Sequence, residues 1–177
     1  HHTKGEGLFL ALLRKTAAAP LIKEKKNKKQ RVAKQPPIKG GAAVADWLEH
    51  SNEFKLLRTD ETHIIAVRQS LADDIQRICA TVRALTAGIL LVEEKGKKLI
   101  PQHALALSTE RAVKAFATVE LSTDEALSYL RRESITLPSE TPRGYVVVCH
   151  KGHALGFVNN LGNRANNLYP QEWRIRN

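Results

Sequence analysis

The sequence predicts an α+β fold, and three observations carry that reading. Short strand-like and helix-like runs follow one another without a regular βαβ alternation. The strand-like runs are rich in β-branched and aromatic residues, whereas Leu71, Ile75, Ile78, Val82 and Leu85 recur at helical spacing. The 177 residues suffice for one ordinary domain or two small ones. No internal repeat is visible.

Leu8 to Leu13 is a nearly all-apolar run of the kind that makes a strand buried on both faces. Across residues 16–46 the composition turns basic, with Lys23, Lys25, Lys26, Lys28, Lys29, Arg31, Lys34 and Lys39 standing against Glu24 and ending in Pro36-Pro37 and Gly40-Gly41. Such a stretch buries too little apolar surface to offset its ordering entropy, so a linker is expected. Lys23, Lys25, Lys26, Lys28, Lys29 and Arg31 are candidate phosphate contacts, since phosphate neutralisation needs basic side chains but no fixed fold.

Phe54 to Leu57 and His63 to Val67 read as an antiparallel pair around the polar turn Arg58-Thr59-Asp60-Glu61. Ser70 is placed to cap the helix that carries the Leu71 to Leu85 stripe, with Asp73 and Asp74 in its first turn and Gly88 at its end. Ile89 to Val92 and Lys98 to Ile100 flank Glu93 to Gly96 as a second hairpin, and Pro101 opens a short helix through Leu107. Another run follows from Ser108 or Thr109 through Val113 and Phe116. Val119 to Leu121 is a brief strand, and Ser122 with Glu125 forms a capping-box pattern for a helix from Asp124 to Arg131. A domain boundary at Phe116 to Val119 divides a middle domain, residues 47–116, from a β-rich closing domain, residues 117–177.

The closing domain holds the most specific segment. Tyr145 to Cys149 and Ala154 to Val158 form a hairpin across Lys151-Gly152. The tail that follows offers amide, guanidinium and aromatic groups with few carboxylates. Arg164, Asn166, Asn167, Tyr169, Arg174 and Arg176 are the candidate RNA-binding residues, because RNA surfaces combine donors, positive charge and flat stacking groups. Trp173 is expected in the core, and Tyr169 could be core or stacking platform.

These residues resemble the PUA-like domain that closes the bacterial RNA 5-methylcytosine methyltransferases of the Nop2/Sun type, particularly those acting on 16S ribosomal RNA. The resemblance rests on Leu155-Gly156-Phe157, on Asn167-Leu168-Tyr169-Pro170 and on the following Arg174. It extends through Gly88 to Gly96 and Pro101 to Leu107. His2-Thr3-Lys4-Gly5-Glu6-Gly7 with Leu8 to Arg14 looks like the last strand of that family's catalytic domain, residues 1–15. Members of the family carry Lys shortly after the Leu-Gly-aromatic step, where this chain has Asn159. The resemblance implies a small mixed α/β middle domain followed by a PUA-like β-barrel-type domain. It also implies a parent enzyme that transfers methyl from S-adenosylmethionine to cytosine C5. RNA is then the partner, ribosomal RNA first and transfer RNA as a second class, and the chain should be a cytoplasmic monomer. A non-catalytic RNA-binding or ribosome-assembly factor is the competing reading.

Composition agrees with an anionic partner, the formal charge being +10 and the pI near 9.8. The chain begins at His1 and has no Met, which reads as a fragment or as a sequence from which residues are missing. No run approaches the ~18 apolar residues of a membrane span. The fragment itself should hold no catalytic residue, cofactor or metal. Cys79 on a helix's apolar face and Cys149 at a strand end lack the Pro-Cys and Thr-Cys-Ser settings of the resembled family, and both read as structural. His150 and His153 bracket the hairpin turn without a third ligand, so a solvent-facing tip is favoured over a metal pair. His103 reads as a packing or capping residue at a helix start.

Overall fold

The computed structural model describes residues 40–176 together with Arg14, Thr16 and Ile38. The apolar run Leu8 to Leu13 and the candidate contacts Lys23, Lys25, Lys26, Lys28, Lys29 and Arg31 lie outside the described residues. The fold is α+β, with two four-stranded sheets and short helices.

The first sheet is an antiparallel meander in chain order: β1 (Phe54–Arg58), β2 (His63–Arg68), β3 (Ile89–Lys95) and β4 (Lys98–Pro101). The Phe54 and His63 strands pair as expected, in the register Leu56 opposite Ala66. Residue parity on β2 sorts its side chains. Ile64 and Ala66 enter the main core, while Ile65 and Val67 turn the other way with Leu57 and Ala72. Two further helices flank this sheet. One is α1 (Gly41–Ala45), which buries Val44 completely although this stretch had read as linker. The other is α2 (Ala72–Thr81).

Helix α2 is shorter than its apolar stripe predicts. Leu71 rather than Ser70 occupies the N-cap, without a side-chain cap, and Val82 leaves the helix with φ −127° and ψ 152°. The β-branched pair Thr81-Val82 suits that extended exit. Val82 and Leu85 lie beyond the helix and are exposed, and within it Ile78 is exposed too, as is Cys79, which had been read on the apolar face. Gly88 therefore does not end the helix. It immediately precedes β3, and a Cβ there would lie 2.2 Å from the Ala66 carbonyl oxygen.

The helix α3 (His103–Leu107) buries Leu105 and Ala106 in the main core with Ile64 and Leu91 of the first sheet and Val147 and Phe157 of the second. The second sheet consists of β5 (Ala117–Glu120), β6 (Gly144–His150), β7 (His153–Asn160) and β8 (Ala165–Asn167), in that order. Strands β5 and β6 are parallel and the other pairings antiparallel. Between β5 and β6 runs α4 (Thr123–Leu130), started by the capping box: Glu125 accepts from the Ser122 amide at 2.9 Å, and the Glu125 amide donates to Ser122 Oγ at 3.4 Å. Four consecutive residues of β6, Val146 to Cys149, are buried because both faces are covered. Val147 and Cys149 enter the main core, and Val146 and Val148 pack against Tyr129 and Ala126 of α4.

Lys151 and Gly152 both have positive φ, 51° and 76°, which a tight two-residue hairpin needs. His150 is not a free tip residue, since its Nδ1 lies 2.9 Å from the Leu121 carbonyl oxygen. None of the described helices is long and apolar enough to cross a membrane.

Candidate nucleic-acid interface

The edge strand β8 is where the closing domain gathers its cations, and two asparagines build that edge. Asn160 is buried at 5% exposure, and its amide donates to the carbonyls of Thr141 at 3.0 Å and Pro142 at 3.1 Å. Its Oδ1 accepts from the Gly162 amide at 2.9 Å. With both amide hydrogens donated and the oxygen accepting, the side chain pins the loop before β6 to the loop before β8. This places the Arg143 guanidinium over Gly162, where a Cβ would come within 2.9 Å of Nε. Arg164 is exposed in the same loop, and its carbonyl accepts from the Leu161 amide at 2.9 Å.

Asn167 pins the other end. Its Nδ2 donates to the carbonyls of Tyr129 at 2.8 Å and Glu133 at 3.2 Å, and its Oδ1 accepts from the Tyr169 amide at 2.9 Å. Its amide group is thus spent on satisfying carbonyls at the end of α4, a structural role for a residue that the sequence had offered as an RNA donor. Asn166, beside it, is exposed. Helix α4 closes with a double cap, Arg132 N–H to Tyr129 O at 3.0 Å and Glu133 N–H to Ser128 O at 2.9 Å. Arg132 has φ 62°, where glycine is usual, and its guanidinium reaches the Asn167 carbonyl at 3.4 Å.

The tail then folds back, with the Ile175 amide donating to the Leu130 carbonyl at 3.1 Å. Arg131 and Glu133 from the helix end face Arg174, Ile175 and Arg176 from the tail across an open groove of about 300 Å³. Arg131 Nε is buried without a hydrogen-bond partner. Arg131, Arg132 and Arg143 had not been singled out from the sequence. The signal was present in Arg131-Arg132 at a helix C-terminus and in the turn Pro142-Arg143-Gly144.

Trp173 is 57% exposed rather than core. It ends the 3-10 turn Gln171–Trp173, which lies on the surface, and Tyr129 and Phe157 fill the interior instead. One side of the indole meets His103, ring centroids 5.2 Å apart and planes at 85°. His103 also meets Tyr169 at 5.2 Å and 89°, and Tyr169 meets Tyr129 at 5.4 Å. The half-buried Tyr169 is therefore a strut between core and surface aromatics. The packing role expected for His103 is the one it has.

Burial lowers the His103 pKa below its usual 6.5, opposed by the charge of Glu172. The unfolded chain then binds the proton more readily, so this contribution to stability is complete above about pH 6.5 and declines as the pH falls towards the folded-state pKa. We expect the thermal midpoint to drop between about pH 7.5 and 5.5, and His103→Gln to flatten that drop. An unchanged pH profile in the variant would remove His103 as its source. The buried Cys149 thiol is pushed up by desolvation, away from the thiolate that a nucleophile requires.

Ion pairs are unevenly spread along the chain. Residues 40–116 carry ten Lys and Arg against ten Asp and Glu, and residues 117–177 seven against six. The ion pairs among the described residues all fall between His50 and Glu110, including Arg58 on Glu94 at 2.7 Å and Arg68 on Glu53 and Glu110. Arg131, Arg132, Arg143, Arg164, Arg174 and Arg176 take no part in them.

Residues 116–175 match the family model described as the methyltransferase RsmF PUA domain. Along its length the chain is similar to proteins named ribosomal RNA small subunit methyltransferase F. That of Erwinia tasmaniensis is 28% identical, with 97% of this chain and 36% of the relative aligned. Those of Shewanella piezotolerans and Shewanella loihica are 28% and 27% identical, each covering 94% of this chain and 35% and 34% of their own lengths. The chain thus spans about a third of the curated relatives it matches, corresponding to their C-terminal part.

Proposed function

We propose that this chain, whose residues 116–175 match the RsmF PUA-domain model, is the RNA-docking C-terminal portion of an S-adenosylmethionine-dependent RNA (cytosine-C5) methyltransferase. Its substrate would be structured 16S ribosomal RNA, and the parent protein a cytoplasmic monomer. The observation that carries the docking role is the gathering of arginines around the ends of β8 and the end of α4, none of which forms an ion pair among the described residues. Guanidinium groups suit phosphate oxygens because they present paired donors in a rigid plane.

S-adenosylmethionine supplies the methyl group in such a reaction, but the described residues do not fit it. The turns from β2 to α2, from β4 to α3 and from β5 to α4 contain no glycine, so none forms the glycine-rich nucleotide loop. In this reading the described portion positions RNA, and the methyl transfer belongs to the rest of the parent protein. Phosphate contacts would supply affinity, and RNA shape most of the selection.

Residues 1–39 add eleven Lys and Arg against two Glu, and they supply a sequence-independent share of binding in this reading. Replacing Lys25, Lys26, Lys28 and Lys29 with Ala should weaken binding to every RNA alike. The slope of log affinity against log salt should flatten by about 0.7 to 0.9 per lost contact. Titration of a 16S ribosomal RNA fragment at several salt concentrations measures both quantities. If the intact chain bound the fragment no better than a neutral protein does, the docking function would fall.

A further inference from the structure

We propose that Trp173 stacks an unpaired base of the bound RNA while Arg174, Arg131 and Arg176 hold the adjoining phosphates. The ligand of this end of the domain is then a single-stranded or looped-out nucleotide rather than a duplex. The proposal rests on the docking reading above and deepens it.

Among the described aromatic residues Trp173 alone is exposed; Trp47, Phe54, Phe116, Tyr145 and Tyr169 are half-buried, and Tyr129 and Phe157 are buried. A tryptophan left 57% exposed forgoes much of the burial that usually holds this side chain. Its ring is nevertheless located: the perpendicular His103 ring, itself backed by Tyr169, takes up one side of the indole. The Trp173 amide donates to the Pro170 carbonyl at 3.2 Å, fixing the turn that presents it. A flat apolar surface held in place costs little entropy on binding and accepts any base.

The charges near it bear on the partner's chemistry. Trp173 stands between Glu172, on the His103 side, and Arg174, which shares the groove with Arg131 and Arg176, where Glu133 is the one acidic group. Stacking surface plus guanidinium donors is the combination that holds splayed nucleotides, since a base must leave its stack before an indole can take its face. The other end of the edge differs. Around Gly162 stand Arg143 and Arg164 with no exposed aromatic, which suits the backbone of a paired helix.

Trp47→Phe leaves Trp173 as the single indole of the full chain and turns its fluorescence into the readout. That protein is titrated with a ribosomal RNA hairpin bearing an unpaired loop and with a fully paired duplex of the same length. The loop RNA should quench Trp173 emission at saturation, and the duplex should not. In the otherwise unaltered chain, Trp173→Ala should weaken loop-RNA binding about 5- to 150-fold, with Trp173→Phe retaining most of the affinity and duplex binding unchanged. The difference in quenching between the unaltered chain and Trp173→Ala gives the same answer should Trp47→Phe fail to fold. Loop RNA that binds, loses affinity on Arg174→Ala, yet neither quenches Trp173 nor responds to Trp173→Ala would overturn the stacking site and leave docking intact. Failure of both RNAs to bind would overturn docking and stacking together.

Discussion

Replacing Gly156 with Ala should destabilise the fold by about 2–5 kcal/mol, as a strained backbone and an overfilled site act together. Gly156 lies on β7 with φ 151°, and a Cβ there would sit 2.2 Å from the Tyr129 hydroxyl oxygen and 2.9 Å from His103 Nδ1. Neither neighbour can retreat easily. Tyr129 is fully buried, and its hydroxyl donates to the Phe157 carbonyl at 3.1 Å. Chemical denaturation of Tyr129→Phe, Gly156→Ala and the double variant separates the causes. Tyr129→Phe alone should cost about 1 kcal/mol, because the Phe157 carbonyl keeps the Leu168 amide at 3.1 Å. In the double variant the Cβ meets no hydroxyl, so the two costs should fall short of their sum by about 1 kcal/mol or more. Strictly additive costs would mean that the backbone angle alone requires the glycine.

The same contact supports the proposed stacking site. Gly156 brings β7 close to the Tyr129, His103 and Tyr169 rings on which Trp173 rests. The Leu155-Gly156-Phe157 step that carried the family resemblance is therefore a packing device beneath the proposed stacking site. Its glycine admits the aromatic strut, and Phe157 fills the main core.

Elements whose determinants are local were legible in the sequence. Ser122 and Glu125 satisfy each other across one turn, and Lys151-Gly152 sets a two-residue hairpin, so both could be read from adjacent residues. The length of α2 could not be read that way. Its apolar spacing continues past Thr81, and the core covers Ile75 but not Ile78 or Val82. The candidate site divides on the same principle. Arg164 and Arg174 were visible as charges in a tail poor in carboxylates, and both remain exposed. Asn167 looked equivalent, but its partners Tyr129 and Glu133 lie 38 and 34 residues away, and no spacing rule reaches that far. Arg131 and Arg132 were hidden for the opposite reason, since a basic pair at a helix C-terminus already has a local explanation in the helix dipole.

Removing Arg164 and Arg174 together should produce the largest loss of RNA affinity. Each guanidinium is exposed and forms no ion pair among the described residues, so a charge-assisted bond of about 1–3 kcal/mol is at stake at each. They stand on different loops at opposite ends of β8, so their effects should add. A combined loss of at least about 2 kcal/mol, or roughly 30-fold, is expected. The salt slope should fall by about 1.5. Stability should hold within about 1 kcal/mol, because the hydrogen bond at Arg164 uses its backbone carbonyl, which Ala retains. The decisive comparison is a second variant with the same loss of charge elsewhere, Lys97→Ala with Lys98→Ala, at the exposed turn into β4. If binding depends on the β8 edge, that pair should cost little. If it costs as much as the arginine pair, net charge rather than this interface attracts the RNA, and the assignment of the edge fails.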